Sequence, residues 1–235
     1  MSSAISLRMP PDIQSVQVGE HQVVFIDDFL TDPDLMLEAA SQSQFLPCPG
    51  FDQKKGYPGV RARAPAEYSA TLVELLDPLI KVNFQVPEHL SPNKSACEFS
   101  LTTVAPDVLG AMQRTPHFDS SSAHHMAVLL YLCGPEHGGT GFYRHAATGI
   151  QKITPENLSR YSDVYYEELR RQPPKPRYFD DSDEHFTFLG MMPARFNRLV
   201  VYPGSLLHSA CINPGIGICD DPRRGRLTVN TFFDY

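Results

Sequence analysis

His117 and Asp119 flank a single residue, Phe118, and a second histidine, His208, stands far downstream at the end of the run from Asn197 to His208. In extended backbone, side chains two positions apart point the same way, so His117 and Asp119 can hold one ion while Phe118 turns aside. His208, arriving on a distant strand, would complete two imidazoles and one carboxylate on one face of a metal. The opposite face then stays open for oxygen and a second ligand to bind side by side, an arrangement suited to Fe(II). A lone His-x-Asp is a weak signal, since any strand can produce one. Its weight comes from the ordered segments downstream of it.

The other chemistry-bearing segment is Arg226-Leu227-Thr228-Val229-Asn230. Counting by two places Arg226, Thr228 and Asn230 on one face of a strand, with Leu227 and Val229 on the other. A guanidinium and a hydroxyl aimed into an interior suit a dicarboxylate, because the planar fork takes a carboxylate in two hydrogen bonds and the hydroxyl adds a third. Buried without such an anion, Arg226 is costly; on a surface edge strand it is merely solvated. Arg224 shares its parity and replaces it if the register is shifted by one pair. Tyr131, in Leu129-Leu130-Tyr131-Leu132, is a phenol in an apolar strand and needs a buried partner, either a bound carboxylate or an ordinary core group.

Taken in order, Pro116 to Asp119, Val128 to Leu132, Gly138 to Tyr143, Asn197 to His208 and Arg226 to Asn230 resemble the 2-oxoglutarate- and Fe(II)-dependent dioxygenases, in their prolyl-hydroxylase-like branch. The likeness runs from residue 97 to residue 235. It implies Fe(II) held by His117, Asp119 and His208, with 2-oxoglutarate as cosubstrate and O2 as oxidant. Arg226 and Thr228, with Tyr131 as a further candidate, would bind the far carboxylate. The implied reaction is hydroxylation of an unactivated C–H bond in a small metabolite or amino-acid-like substrate, releasing succinate and CO2. A carboxylate at position 119 fits hydroxylation rather than halogenation, while desaturation and ring formation use the same ligands. His208 and Arg226 stand farther apart than in many relatives, and the loop 213–224 can absorb the difference. Two other readings stay open. One is a metal-dependent hydrolase or isomerase using Zn(II) or Mn(II) on a cupin-like barrel, which leaves Arg226 unexplained. The other is a non-catalytic barrel that serves as a binding module, against which an intact triad argues.

Positioning these residues requires strands. The resemblance implies a mainly β fold with flanking α-helices, its core a double-stranded β-helix of the jelly-roll, cupin-like kind. The expected organisation is one domain over 1–235, with an N-terminal extension (1–96) whose helices pack on the core (97–235). Val23 to Ile26 predicts a short strand, and Thr31-Asp32-Pro33-Asp34 predicts a helix start with a capping oxygen, running to about Gln44. Prolines and glycines between Pro47 and Pro65 predict a loop or irregular strand. A second helix is expected over about Glu67 to Leu76, with Leu72, Leu75 and Leu76 on one face. Cys97 to Val104 alternates as a strand, and Met126 to Cys133 is nearly continuous apolar, as a strand covered on both faces must be. Thr154-Pro155-Glu156 opens a helical insert at 154–171, either a lid or outer padding. Gly138-Gly139-Thr140-Gly141 lacks the Lys-Ser or Lys-Thr of a phosphate cradle and reads as a tight turn with close strand approach.

Composition narrows the partners. The formal charge of −7 and pI near 5.7 do not suit a nucleic-acid backbone. Five cysteines without close pairing, Cys48, Cys97, Cys133, Cys211 and Cys219, fit reduced thiols. Residues 1–20 lack a basic start followed by an apolar run, so no signal peptide is expected, and no apolar stretch spans a bilayer. The expectation is a cytoplasmic enzyme acting on a small molecule, with no membrane and no nucleic-acid partner. The remaining histidines carry no ligand spacing. His124 and His125 turn to opposite faces, His137 is expected in solvent, His145 at the end of a strand that can line the mouth, and His185 in a solvated acidic loop. Arg144, Arg195 and Arg198 are expected on the surface, where they can meet a substrate carboxylate.

Overall fold

Alternation along the strands sorts the chain into layers. The computed structural model describes residues 6–47 and 56–235, so Cys48 and the first half of the expected loop 47–65 lie outside the described residues. The elements in order are β1 (Ile13–Val18), β2 (His21–Ile26), α1 (Asp34–Ser41), β3 (Leu46–Pro47), β4 (Gly59–Arg63), α2 (Ala66–Phe84), β5 (Asn93–Thr102), β6 (His125–Tyr131), β7 (Gly138–His145), α3 (Leu158–Arg171), β8 (Phe186–Pro193), β9 (Arg198–Pro203), β10 (His208–Ile212) and β11 (Leu227–Asp234).

These strands make two antiparallel sheets. The larger has the order β1-β2-β9-β6-β11-β5-β4-β3 and the smaller β10-β7-β8. A single antiparallel bridge, His117 to His208, extends the smaller sheet beyond β10. The result is a mixed α/β fold of two sheets with flanking helices, compatible with a jelly-roll arrangement. Among the described residues, no helix is long and apolar enough to cross a membrane.

The inner strands of the large sheet divide their side chains between two cores. Val24, Phe99, Leu101, Val128, Leu130, Val201 and Val229 face α1 and α2, where they meet Met36, Leu72 and Leu76. Full burial of each such side chain contributes roughly 1.5–3 kcal/mol. Val23, Ala127, Leu129, Tyr131, Val200 and Tyr202 face the other way and pack between the sheets against Phe142 and Met192. The apolar run of β6 is explained directly, because all seven of its residues are buried. A third core, with Tyr143, Phe179, Phe186 and the insert residues Tyr161 and Tyr165, lies outside the small sheet. The insert helix α3 therefore packs as an outer layer there.

Several expectations change in detail. α1 begins at Asp34 without a side-chain cap, and the Thr31 hydroxyl instead bonds Ser6. α2 continues past Leu76 and through Pro78 to Phe84. The proline is tolerated because the carbonyl it leaves unpaired belongs to Glu74, and both residues face water while Leu79 and Ile80 continue the apolar stripe. β1 carries no strong sequence signal, with five of its six residues exposed, yet pairs with β2 along its whole length. The Gly138–Gly141 segment is the first half of β7 rather than a turn. The close approach does occur: a Cβ on Gly138 would stand 1.7 Å from the Cys211 carbonyl oxygen on β10.

Arg198 is tied up within the fold, while Arg195 lies on the surface as expected and shares its carboxylate partner. The Arg198 guanidinium takes both oxygens of Asp27 (Nε to Oδ1 2.6 Å, Nη2 to Oδ2 3.0 Å), and Arg195 Nη1 adds a bond of 2.8 Å. The Arg198 bond holds the Asp27 carboxyl below the usual carboxylate range. The cluster fastens the end of β2 to the start of β9.

Candidate functional site

The His117–Asp119 segment is extended, but it forms no continuous strand. Its backbone is fixed by His117 N–H to His208 O (2.8 Å), His208 N–H to His117 O (2.8 Å) and Asp119 N–H to Gly204 O (2.7 Å). The expected parity holds: Phe118 turns away and meets Tyr161 edge-on at 6.0 Å. His117 Nε2 lies 3.9 Å from Asp119 Oδ1, and His208 Nε2 lies 3.6 Å from Asp119 Oδ2. Taking one ligand atom from each residue, all three lie within 4.8 Å of one another, so the set could hold a metal ion. His208 Nδ1–H donates to the Leu206 carbonyl (2.8 Å), which fixes the tautomer and leaves Nε2 with its lone pair facing the site.

The surroundings suit ligation. Burial pushes the His117 and His208 imidazoles down to about 4, so both are neutral at neutral pH. The His117 side chain keeps an exposed edge (52%), and the neighbouring His208 adds to the lowering that burial causes. Burial raises the Asp119 carboxyl, opposed by His117, His125 and Arg61. The exposed edge of His117 marks where the site opens to solvent; His208 is buried.

Gly204 sits between this triad and a second pair. His125 Nδ1 bonds Asp234 Oδ1 at 2.5 Å, and the ring stacks on Phe232 at 5.4 Å. A Cβ on Gly204 would come within 2.5 Å of His125 Cδ2 and 3.1 Å of Asp119 Oδ2. Gly204→Ala is therefore expected to displace the Asp119 carboxylate and weaken divalent-metal binding by about 10- to 100-fold, the range for outer-sphere changes. Titration with Fe(II) or Co(II) checks this, with circular dichroism as the control for folding. Unchanged affinity would mean that His125 yields instead of Asp119.

The second site segment lies between the sheets. Arg226 precedes β11, is 2% exposed and has no carboxylate partner among the described residues. Its Nη2 donates to the Gly139 carbonyl on β7 (3.2 Å), its Nε has no hydrogen-bond partner, and its guanidinium lies 5.7 Å from the Tyr131 ring. Arg224, by contrast, is exposed, so the strand register buries Arg226. Thr228 is fully buried on the same face, but its hydroxyl donates to Asn230 Oδ1 at 2.6 Å. The buried partner of Tyr131 is Thr140, and their hydroxyls are 2.5 Å apart across the gap between the sheets. Burial pushes the Tyr131 phenol up to about 12, which keeps it a donor.

Three histidine expectations are overturned. His137 is buried and bonds the Gly134 and Arg224 carbonyls. His145 is fully buried behind the small sheet, away from any mouth, with Nε2 2.8 Å from Glu168 on α3. His185 is half-buried, 3.5 Å from the same carboxylate. Arg144 is exposed.

Sequence reasoning missed Tyr202, Thr140, Asp234 and Arg61. Tyr202 packs edge-on against His208 at 5.1 Å and Phe142 at 5.2 Å, and it shares the inward parity of Val200 on β9. That parity was a usable signal; the Asp234 partnership with His125 spans 109 residues and left none, and Thr140, only nine residues from Tyr131, meets it across two different sheets. A cavity of about 390 Å³ behind α3, with Thr115, Glu168, Arg177 and His185 in its wall, contains none of the triad.

Comparison with known proteins gives a broad match. The model of the family described as "Family of unknown function (DUF6445)" matches residues 9–233. No curated protein matches. Among solved structures, the chain is similar to the crystal structure of AviO1 from Streptomyces viridochromogenes Tue57, at 14% identity and a TM-score of 0.45, over 90% of this chain and 89% of that one.

Proposed function

The chain belongs to the DUF6445 family of unknown function, and from its site we propose that it is an Fe(II)- and 2-oxoglutarate-dependent oxygenase. Its reaction would be hydroxylation of an unactivated C–H bond in a small metabolite or amino-acid-like substrate. One observation carries this reading: a two-histidine, one-carboxylate set is accompanied between the same sheets by a buried guanidinium with no carboxylate of its own among the described residues. A hydrolase would use the triad but leave Arg226 as an uncompensated interior charge, which is heavily penalised.

The residues fit the groups this reading requires. His117, Asp119 and His208 offer the mixed imidazole and carboxylate donors that suit Fe(II) while leaving coordination positions open. The orphaned Arg226 Nε is a donor awaiting an anion, and the far carboxylate of 2-oxoglutarate supplies one. Tyr131 and Thr140 stand ready to add hydroxyl donors, and Thr228 can turn from Asn230 to do the same. Leu129, Val200 and Tyr202 are buried in the core between the sheets beside these groups. When bound, iron would activate O2 as the oxidant, with 2-oxoglutarate supplying two electrons and leaving as succinate and CO2. The protein's part is to hold Asp119 and His208 rigidly, through the backbone bonds to Gly204 and His117, so that the three side chains would be ready to receive the metal.

Anaerobic titration with Fe(II) followed by 2-oxoglutarate tests the proposal. A weak visible charge-transfer band should appear only when both are present, and Arg226→Met should need at least about a hundredfold more 2-oxoglutarate to develop it. Absence of the band in the parent protein, with Fe(II) demonstrably bound, would overturn the oxygenase reading.

A further inference from the structure

β4 places a second cation on the inner wall of the site. Arg61 pairs with Ser100 on β5, Ser100 with Thr228 on β11, and Thr228 with Tyr131 on β6. Directly opposed residues of a sheet share a face, so Arg61 lies in one row with two residues of the proposed cosubstrate wall. The parity is fixed independently: Ala62, Phe99 and Leu101 all turn the other way, into the core beneath α1 and α2.

Unlike Arg226, Arg61 has an acidic partner and can be reached from solvent. Its Nη1 donates to Glu98 Oε2 at 3.1 Å, and the two side chains are 22% and 34% exposed. The guanidinium lies 5.3 Å from the Tyr57 ring, whose hydroxyl is itself fixed 2.9 Å from Thr102. Arg61 Nε is buried and has no hydrogen-bond partner. Glu98 uses one carboxylate oxygen on Arg61 and has a second to offer. An ion pair on an outer surface would contribute little and need no further explanation. This one lies on the inward face, in the row of Ser100, Thr228 and Tyr131.

We infer that Arg61 and Glu98 form the subsite for the primary substrate, and that the substrate is a free α-amino acid, its carboxylate on Arg61 and its ammonium on Glu98. The inference rests on the oxygenase reading and gives its substrate class. Opposite charges already side by side favour a zwitterion. A simple carboxylate would meet repulsion from Glu98, and a simple amine would meet repulsion from Arg61. The planar guanidinium edge suits a carboxylate, and the free Glu98 oxygen suits an ammonium.

The test is calorimetric titration of the Fe(II)- and 2-oxoglutarate-loaded protein, without oxygen, with each of the common L-amino acids. Each is compared with its decarboxylated amine and its N-acetyl derivative. At least one free amino acid should bind, with both truncated forms weaker by roughly thirtyfold or more, as expected for losing a partner of a charge-assisted contact. Arg61→Gln and Glu98→Gln should each cause a comparable loss, while 2-oxoglutarate affinity stays within about twofold and the melting temperature confirms folding. Arg61→Lys, which keeps the charge, should retain part of the binding. If 2-oxoglutarate binds and no free amino acid does, or if both glutamine variants bind as the parent does, the subsite assignment is wrong while the oxygenase reading stands. If 2-oxoglutarate itself fails to bind, the oxygenase reading fails. The metal-free protein then decides the subsite alone: Arg61-dependent amino-acid binding upholds it, and no binding overturns it.

Discussion

Asp119→Ala and His208→Ala proteins are expected to retain no Fe(II) after gel filtration, under conditions where the parent chain holds one ion. Each variant removes one of only three protein donors, so its effect should exceed the ~10- to 100-fold that a change outside the ligands produces. The fold should survive. Asp119 is held above its usual range by burial, so its removal takes away an unfavourable charge rather than a structural bond. His208 contributes its backbone bonds to the bridge with His117 whatever its side chain. The pH dependence has a definite sign. Burial lowers both imidazoles to about 4, so they stay neutral and able to bind metal as pH falls through 6.5, and the acid limit of metal uptake is set first by protonation of Asp119, whose carboxyl burial raises above its usual value. Metal analysis of the His208→Ala protein decides the matter, and a metal content equal to the parent's would remove the triad from the account.

Arg226→Met should separate stability from function. A buried guanidinium with no carboxylate partner is an unfavourable element of the unliganded protein. Replacing it with an apolar side chain of similar length is expected to leave stability unchanged or to raise it by about 1–4 kcal/mol. That corresponds to an increase in Tm of several degrees for a chain of this size. At the same time the 2-oxoglutarate requirement should rise at least a hundredfold, since losing a charge-assisted, two-pronged contact costs on the order of 3 kcal/mol. In the parent, 2-oxoglutarate should raise Tm by mass action, and in Arg226→Met it should not. Thr228→Val should be milder, about tenfold, because one neutral hydrogen bond is lost. Exposed Arg224 serves as the control, and Arg224→Ala should change neither quantity. A destabilised Arg226→Met protein with normal 2-oxoglutarate dependence would show that the guanidinium is a structural residue.

Features set by local period were legible in the sequence. The shared direction of His117 and Asp119, the two-sided burial of β6 and the inward parity of Arg226 each depend on neighbours two positions away, and each is found in the structure. Residues whose placement depends on distant partners were not legible. Nothing near Arg198 announces Asp27, and nothing near His145 announces Glu168 on α3. His137 looked solvated because glycines come after it, yet two carbonyls, one of them Arg224's, receive its ring and bury it. β4 was obscured by the prolines and glycines around it, and with it the inward-facing Arg61. The continuation of α2 through Pro78 depended on which way Glu74 faces, which only packing decides.

The position of β11 also governs the order of assembly. It lies between β5 and β6 although it comes after both in sequence, far along the chain. Until residues 227–234 arrive, β5 and β6 each present a row of bare hydrogen-bonding groups, open to pairing with the wrong strand. Bringing so distant a segment into the middle of a sheet means closing long loops before any contact rewards them, which predicts slow folding and a need for protection of those edges during synthesis. The same late segment brings Arg226 and Thr228 into place. A chain caught before that step has an unfinished sheet and lacks the buried guanidinium between the sheets.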